Sequence, residues 1–172
     1  CFTYRDNLQM LEDMGAELVP FSPLSDSRLP ERLQGLILSG GYPELHAPAL
    51  AENSSMREEI REAVKAGLPC IAECGGFLYL HRTLEGEDGK EYPMAGVLDA
   101  RAFRTPKLSR FGYITLTARQ DQLLLREGEQ IRGHEFHYWE SESCGEAMQA
   151  KKPLRKRSWS WVQGNRTLCA GF

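Results

Sequence analysis

No apolar run in this chain is long enough to cross a bilayer, and no signal-peptide pattern opens it. A large excess of charge of one sign is also lacking: a net charge of −3 gives no reason to expect nucleic acid or an acidic membrane surface as partner. The five cysteines lie at irregular spacings and make no disulfide framework. Their odd number, with Cys70 and Cys169 inside apolar runs, predicts a reducing, cytoplasmic setting. There is no low-complexity tract and no internal repeat. The phosphate-loop pattern Gly-x-x-x-x-Gly-Lys-Ser/Thr is missing, so any ATP chemistry is expected elsewhere.

What remains is an ordinary globular composition, 41% hydrophobic and 26% charged over 172 residues, enough for one domain with a core. Both ends read as interior chain. Cys1-Phe2-Thr3-Tyr4 begins without methionine and resembles the tail of a strand, and Leu168-Cys169-Ala170-Gly171-Phe172 stops in an apolar run. Residues 1–172 are therefore expected to be one domain of a longer protein, cut at both ends.

In the first half, short apolar strands alternate with helices. Asp6-Asn7 cap an amphipathic pattern at Leu8, Leu11 and Met14 that closes at Gly15. Glu17 to Phe21 reads as a strand, as does Leu36-Ile37-Leu38. Ser54 and Ser55 offer caps for a helix that ends at Gly67, Pro69 to Ala72 is a further strand, and Phe77 to His81 starts another helix. Beyond residue 83 strands dominate, at Met94–Leu98, Phe111–Ala118, Ile131–Glu140 and Ser158–Val162. This pattern predicts an α/β fold: a flavodoxin-like three-layer sandwich whose mostly parallel sheet gains an antiparallel extension in the second half.

Three segments have the residue types for chemistry. Ala72-Glu73-Cys74-Gly75-Gly76 joins a strand to a helix. In open α/β sheets ligands sit beyond the carboxyl ends of strands, and a nucleophile at such a turn is pushed out of the sheet. Flanking glycines permit the sharp turn, and the helix N-terminus is expected to favour the thiolate and to offer N–H groups to an oxyanion. The plain alternative, a small buried cysteine, suits Cys70 inside the strand better than Cys74 at its exit. Ser39-Gly40-Gly41-Tyr42-Pro43-Glu44 is a second glycine-rich strand exit, which reads either as an ordinary turn or as an oxyanion loop beside Cys74.

The third segment is Arg132-Gly133-His134-Glu135-Phe136-His137-Tyr138. On a strand, His134 and Phe136 share one face while Glu135 and His137 share the other, so the histidines are not expected to chelate one metal. Either could approach Cys74 as a base, or both could be structural or substrate-contacting groups. His46 and His81 are expected to be bland, one in a loop and one late in a helix. The basic run Lys151 to Arg157 reads as a solvated loop.

These motifs, taken in order, resemble the C-terminal glutaminase domain of the cobyrinic acid a,c-diamide synthases, within the class I, triad-type glutamine amidotransferases. The resemblance is carried by Phe2-Thr3-Tyr4, Phe21-Ser22-Pro23-Leu24, Gly40-Gly41-Tyr42-Pro43-Glu44-Leu45, Ser55-Met56-Arg57, Ala72-Glu73-Cys74-Gly75-Gly76, Tyr92-Pro93-Met94, Arg110-Phe111-Gly112-Tyr113 and the His134–His137 segment. It implies that Cys74 is the nucleophile and that Gly41 and Gly75 supply the oxyanion-hole N–H groups. Gly40, Glu73, His134, Glu135 and His137 become substrate-binding or structural groups, with no metal and no cofactor in this domain. ATP and Mg2+ are implied for a separate N-terminal domain, which would activate the a and c carboxylates of cobyrinate and receive ammonia from glutamine.

In this family the activating histidine follows the last strand, in a Tyr-x-His-x-His-Phe-like segment, and Leu168–Phe172 aligns just before it. Residues 1–172 alone are thus expected to hydrolyse glutamine poorly. Other expectations are the same domain serving a different tetrapyrrole such as nickel-sirohydrochlorin, a non-catalytic flavodoxin-like binding module, or a peptidase-type cysteine hydrolase.

Overall fold

A computed structural model describes residues 2–154 and 156–172. The first helix, α1 (Arg5–Asp13), starts after Tyr4 and carries Asp6 in its first turn, where a negative charge suits the helix dipole. None of its residues is buried. Gly15, at φ +92°, takes the left-handed conformation that ends it. Residues 17–21 form no strand, contrary to the sequence expectation. Pro20 and Pro23 each remove a backbone donor, and the segment contributes Phe21 to the core instead.

Strand β1 (Leu36–Leu38) leads into a 3-10 turn at Pro43–His46, then α2 (Ala47–Glu52) and α3 (Ser54–Lys65). Asn53, rather than either serine, caps α3: its side chain accepts from the Met56 N–H. Met56, Ile60 and Val64 recur at helical spacing and form the buried face of α3. The chain then enters β2 (Cys70–Glu73) and the short α4 (Gly75–Tyr79).

Ten further strands follow. They are β3 (His81–Glu85), β4 (Glu91–Pro93), β5 (Leu98–Arg104), β6 (Arg110–Ala118), β7 (Gln130–His137), β8 (Trp139–Ser141), β9 (Met148–Lys151), β10 (Ser158–Trp161), β11 (Gln163–Gly164) and β12 (Leu168–Gly171).

The architecture is mixed α/β, but not one mostly parallel sheet with an extension. Among the described residues the strands form three four-stranded sheets, ordered β1-β2-β12-β11, β4-β3-β5-β8 and β10-β9-β6-β7. Parallel pairing joins β1 to β2, β2 to β12 and β3 to β5; the other ladders are antiparallel. Connection length explains the difference. A parallel pair needs a crossover of about a dozen residues or more: α2 and α3 lie between β1 and β2, the β4 segment between β3 and β5, and the whole second half between β2 and β12. Most connections in the second half are too short for that, so neighbouring strands turn back on each other.

One core cluster lies around β1, β2, β12 and the helices and continues to Leu84, Met94 and Trp139. A second lies under the third sheet, at Ile114, Met148, Ala150, Trp161 and Val162. Phe172 packs against both clusters. No helix among the described residues is long and apolar enough to cross a membrane.

Candidate active site

The site starts at the exit of β2. Cys74 has φ 50° and ψ −107°, a conformation that a residue with a Cβ adopts at a cost of roughly 1–3 kcal/mol. The fold holds it there from both sides. The Cys74 N–H donates to the Gly171 carbonyl at 2.9 Å, and its own carbonyl receives the Leu78 N–H at 3.0 Å. The last strand, β12, thus clamps the elbow by continuing its parallel register along β2 to Glu73.

The two glycine-rich strand exits meet here. A Cβ on Gly75 would lie 2.6 Å from the Gly41 carbonyl oxygen, and one on Gly40 would lie 3.8 Å from the Cys74 Cβ. Glycine is required at position 75 because the Gly41 backbone fills the space a side chain would take. The N–H groups of both Gly75 and Gly41 act on the Cys74 sulfur and favour its charged form. Above them the chain start closes over β1's exit: Phe2 N–H donates to Gly40 O at 2.7 Å, and Thr3 Oγ1 to Ser39 Oγ at 2.7 Å.

The thiol itself departs from the sequence expectation. Burial pushes its pKa up, and the Glu44 and Glu73 charges push the same way; the two N–H groups offset only part of this. A helix as short as α4 is a weak source of dipole, whereas desolvation acts on the whole thiolate. Cys74 in residues 1–172 should therefore react with iodoacetamide slowly at neutral pH, its rate rising through and beyond the ordinary thiol pKa of about 8.5. A rate that levels off below pH 8 would contradict this account.

Of the other predicted residues, Glu73 adjoins the elbow and the three on β7 stand apart from it. Glu73 is exposed at the end of β2. On β7 the faces fall as expected: His134 and Phe136 are exposed, Glu135 and His137 buried. His134 packs edge-on between Phe111 and Tyr113. Glu135 is fully enclosed and receives the Lys152 Nζ at 2.9 Å; the same ammonium donates to the Phe111 carbonyl at 2.9 Å. Lys152, read from sequence as loop solvation, is thus half of a buried ion pair.

His137 donates from Nδ1 to the Trp139 carbonyl at 2.7 Å, and its ring lies flat on Phe172, centroids 3.9 Å apart. Among the described residues neither histidine hydrogen-bonds Cys74; His137 stacks on Phe172, the residue after the Gly171 that accepts the Cys74 N–H. A separate cavity of about 540 Å³ opens beside them, lined by Arg110, Glu135, Lys152 and Trp159.

His81 also departs from the sequence expectation. It is the first residue of β3, not part of a helix, and is fully buried. Its Nδ1 donates to the Phe77 carbonyl at 2.8 Å, its Nε2 lies 2.6 Å from Ser141 Oγ, and its ring packs edge-on against Phe77. It anchors α4, and with it the elbow, to the second sheet. Glu44 is the largest omission from the sequence reading. It appears in a motif that drew attention to its glycines, yet it is a buried carboxylate close enough to Cys74 to act on its ionisation.

The CobB/CobQ-like glutamine amidotransferase domain family matches residues 1–167. A cobyrinate a,c-diamide synthase of Caldanaerobacter subterraneus subsp. tengcongensis is 45% identical over 173 residues, covering 99% of this chain and 38% of that protein. One from Thermoplasma volcanium is 48% identical over 136 residues, covering 79% and 30% respectively. One from Salmonella typhimurium is 41% identical over 170 residues, covering 95% and 37%. The chain thus spans little more than a third of the length of these relatives at most.

Proposed function

The chain belongs to the family of CobB/CobQ-like glutamine amidotransferase domains, and on that premise we propose that residues 1–172 are the glutamine-hydrolysing domain of a cobyrinate a,c-diamide synthase. The observation that carries this is the close approach of the Gly40-Gly41 strand exit to Gly75 and to a Cys74 held at positive φ on a strand-to-helix elbow.

Such a site performs acyl transfer. The Cys74 thiolate attacks the side-chain carbonyl carbon of glutamine. The negative charge that forms on the carbonyl oxygen is received by the Gly41 and Gly75 N–H groups, which the two strand exits bring together. Collapse expels the amide nitrogen as ammonia once a proton reaches it, leaving a thioester on Cys74. Water then cleaves the thioester, releasing glutamate and the thiol.

The proton must be carried by a base. His137 is committed to the Trp139 carbonyl and stacked on Phe172, and His134 sits in an exposed aromatic cluster. These placements support assigning both to structure or substrate contact. With the thiol pushed up and no histidine bonded to it among the described residues, residues 1–172 by themselves are expected to hydrolyse glutamine weakly. The flavodoxin-like three-layer arrangement belongs to the same proposal and rests on the parallel set β1, β2 and β12 with its helices.

Ammonia released here would amidate the a and c carboxylates of cobyrinate, the acceptor that the relatives' names carry. ATP and Mg2+ belong in this proposal to a separate domain of the enzyme, in keeping with the lack of a phosphate-loop sequence here.

Labelling with the glutamine analogue 6-diazo-5-oxo-L-norleucine tests the reading. One adduct on Cys74 is expected, none on Cys74→Ala, and Cys74→Ala should lower any glutaminase turnover at least a thousandfold. Labelling at another residue, or hydrolysis that survives the substitution, would overturn it.

A further inference from the structure

Glu44 sits in the 3-10 turn that follows Gly41, and only 7% of it is exposed. Its Oε2 is shut away from solvent and has no hydrogen-bond partner among the described residues. No lysine, arginine or histidine forms an ion pair with it there; Arg104 attracts it and Glu87 repels it from a distance. A buried carboxylate oxygen is ordinarily satisfied, because an unmet acceptor forfeits its hydration for nothing in return. Here the unmet oxygen belongs to the loop that presents Gly41, and its charge reaches the Cys74 sulfur.

We propose that the Glu44 carboxylate receives the α-ammonium group of the glutamine whose carboxamide is attacked by Cys74. The assignment rests on the glutaminase reading and adds to it a residue that selects the substrate. A glutamine held at the elbow places its carboxamide against Gly41 and Gly75. Its α-ammonium follows two methylenes and the α-carbon away, and it brings three donors and a positive charge. Those are what a buried, half-satisfied carboxylate lacks.

Charge gives the contact a second consequence. In the free protein, burial raises the Glu44 carboxyl, and its negative charge in turn raises the Cys74 thiol. A substrate ammonium on Glu44 would cancel that repulsion, so the thiolate becomes easier to form when an amino acid is bound than when the site holds water. Substrate recognition and nucleophile activation would share one side chain.

The test compares two reagents on Cys74, neither of which requires turnover: 6-diazo-5-oxo-L-norleucine and 6-diazo-5-oxohexanoate, the same diazoketone without the α-amino group. In the native chain the amino-bearing reagent should label Cys74 at least tenfold faster. In Glu44→Gln that ratio should fall toward one through loss on the amino-bearing reagent alone, and reaction with iodoacetamide should rise, since a negative charge beside the thiol is gone. Glu44→Asp, which keeps the charge on a shorter arm, should give an intermediate ratio.

A ratio unchanged in Glu44→Gln would overturn the assignment. So would an equal loss on both diazoketones, which would place Glu44 in the folding of the elbow or in holding a base. A native chain in which iodoacetamide reaches Cys74 but neither diazoketone does would remove the glutaminase reading, and this assignment with it.

Discussion

Gly76→Ala should both destabilise the fold and silence Cys74. A Cβ at position 76 would lie 2.0 Å from the Leu38 carbonyl oxygen, 2.6 Å from its carbonyl carbon and 2.7 Å from its Cβ. Those atoms include the backbone of β1, which cannot rotate out of the way as a long side chain would. Either α4 lifts from the sheet or β1 shifts, and β1 carries Gly40 and Gly41 at its end. The oxyanion donors would then separate from the sulfur. The expected loss is at least about 3 kcal/mol, the top of the usual range for overpacking a core. At about 2–4 °C per kcal/mol for a chain of this size, the melting temperature should fall by roughly 6–12 °C. Labelling of Cys74 by a glutamine analogue should drop more than tenfold. Gly133→Ala is the control, because its Cβ would meet only the Ile114 and Leu116 side chains, at 3.5 and 4.0 Å, in ordinary contact. Equal melting temperatures for the two variants would show that the α4–β1 contact is not tight.

Lys152→Met should cost about as much for an electrostatic reason. Glu135 is fully buried, and Lys152 Nζ is its one cationic partner among the described residues, at 2.9 Å. The same ammonium also satisfies the Phe111 carbonyl and, at 3.3 Å, the Gly112 carbonyl. Methionine fills much of the volume but leaves a charged carboxylate with no partner, which costs about 3–5 kcal/mol when one member of a buried pair is removed. Thermal or urea unfolding would measure it. Adding Glu135→Gln to Lys152→Met should recover part of the loss, since the neutral amide needs no counter-charge. A single variant within about 1 kcal/mol of the parent would mean that the site admits water, which then solvates the carboxylate. The pair ties the turn after β9 to the β6–β7 ladder, so the damage should stay in the third sheet and spare Cys74 labelling.

The sequence carried the elbow well because its requirements are local. Positive φ at Cys74, close approach at Gly75 and Gly76, and a strand on one side with a helix on the other all restrict residue type within a few positions. The alternation on β7 was legible for the same reason: successive side chains on a strand must point to opposite faces, so Glu135 and His137 had to share one. The cap of α3 was a near miss, as Asn53 stands beside the two serines that could have served.

Residues 17–21 have strand composition but make no ladder beside Pro20 and Pro23. The other misreadings arose where distant segments decide. His81 continues an apolar run that looks helical, yet α4 stops at Tyr79 and His81 is locked to Phe77 and Ser141. Lys152 lies in a basic run that suggests solvent, until β7 brings Glu135 to it.

Cys74 shows the division most directly. Its residue type, its turn and its glycine neighbours are determined by the sequence, because backbone geometry and steric fit act over a few bonds. The direction of its pKa shift, the orphaned oxygen of Glu44 in the turn after Gly41 and the clamp of Gly171 upon it belong to the tertiary structure. Desolvation and charge depend on which remote elements are packed around a group, and no spacing along the chain records that.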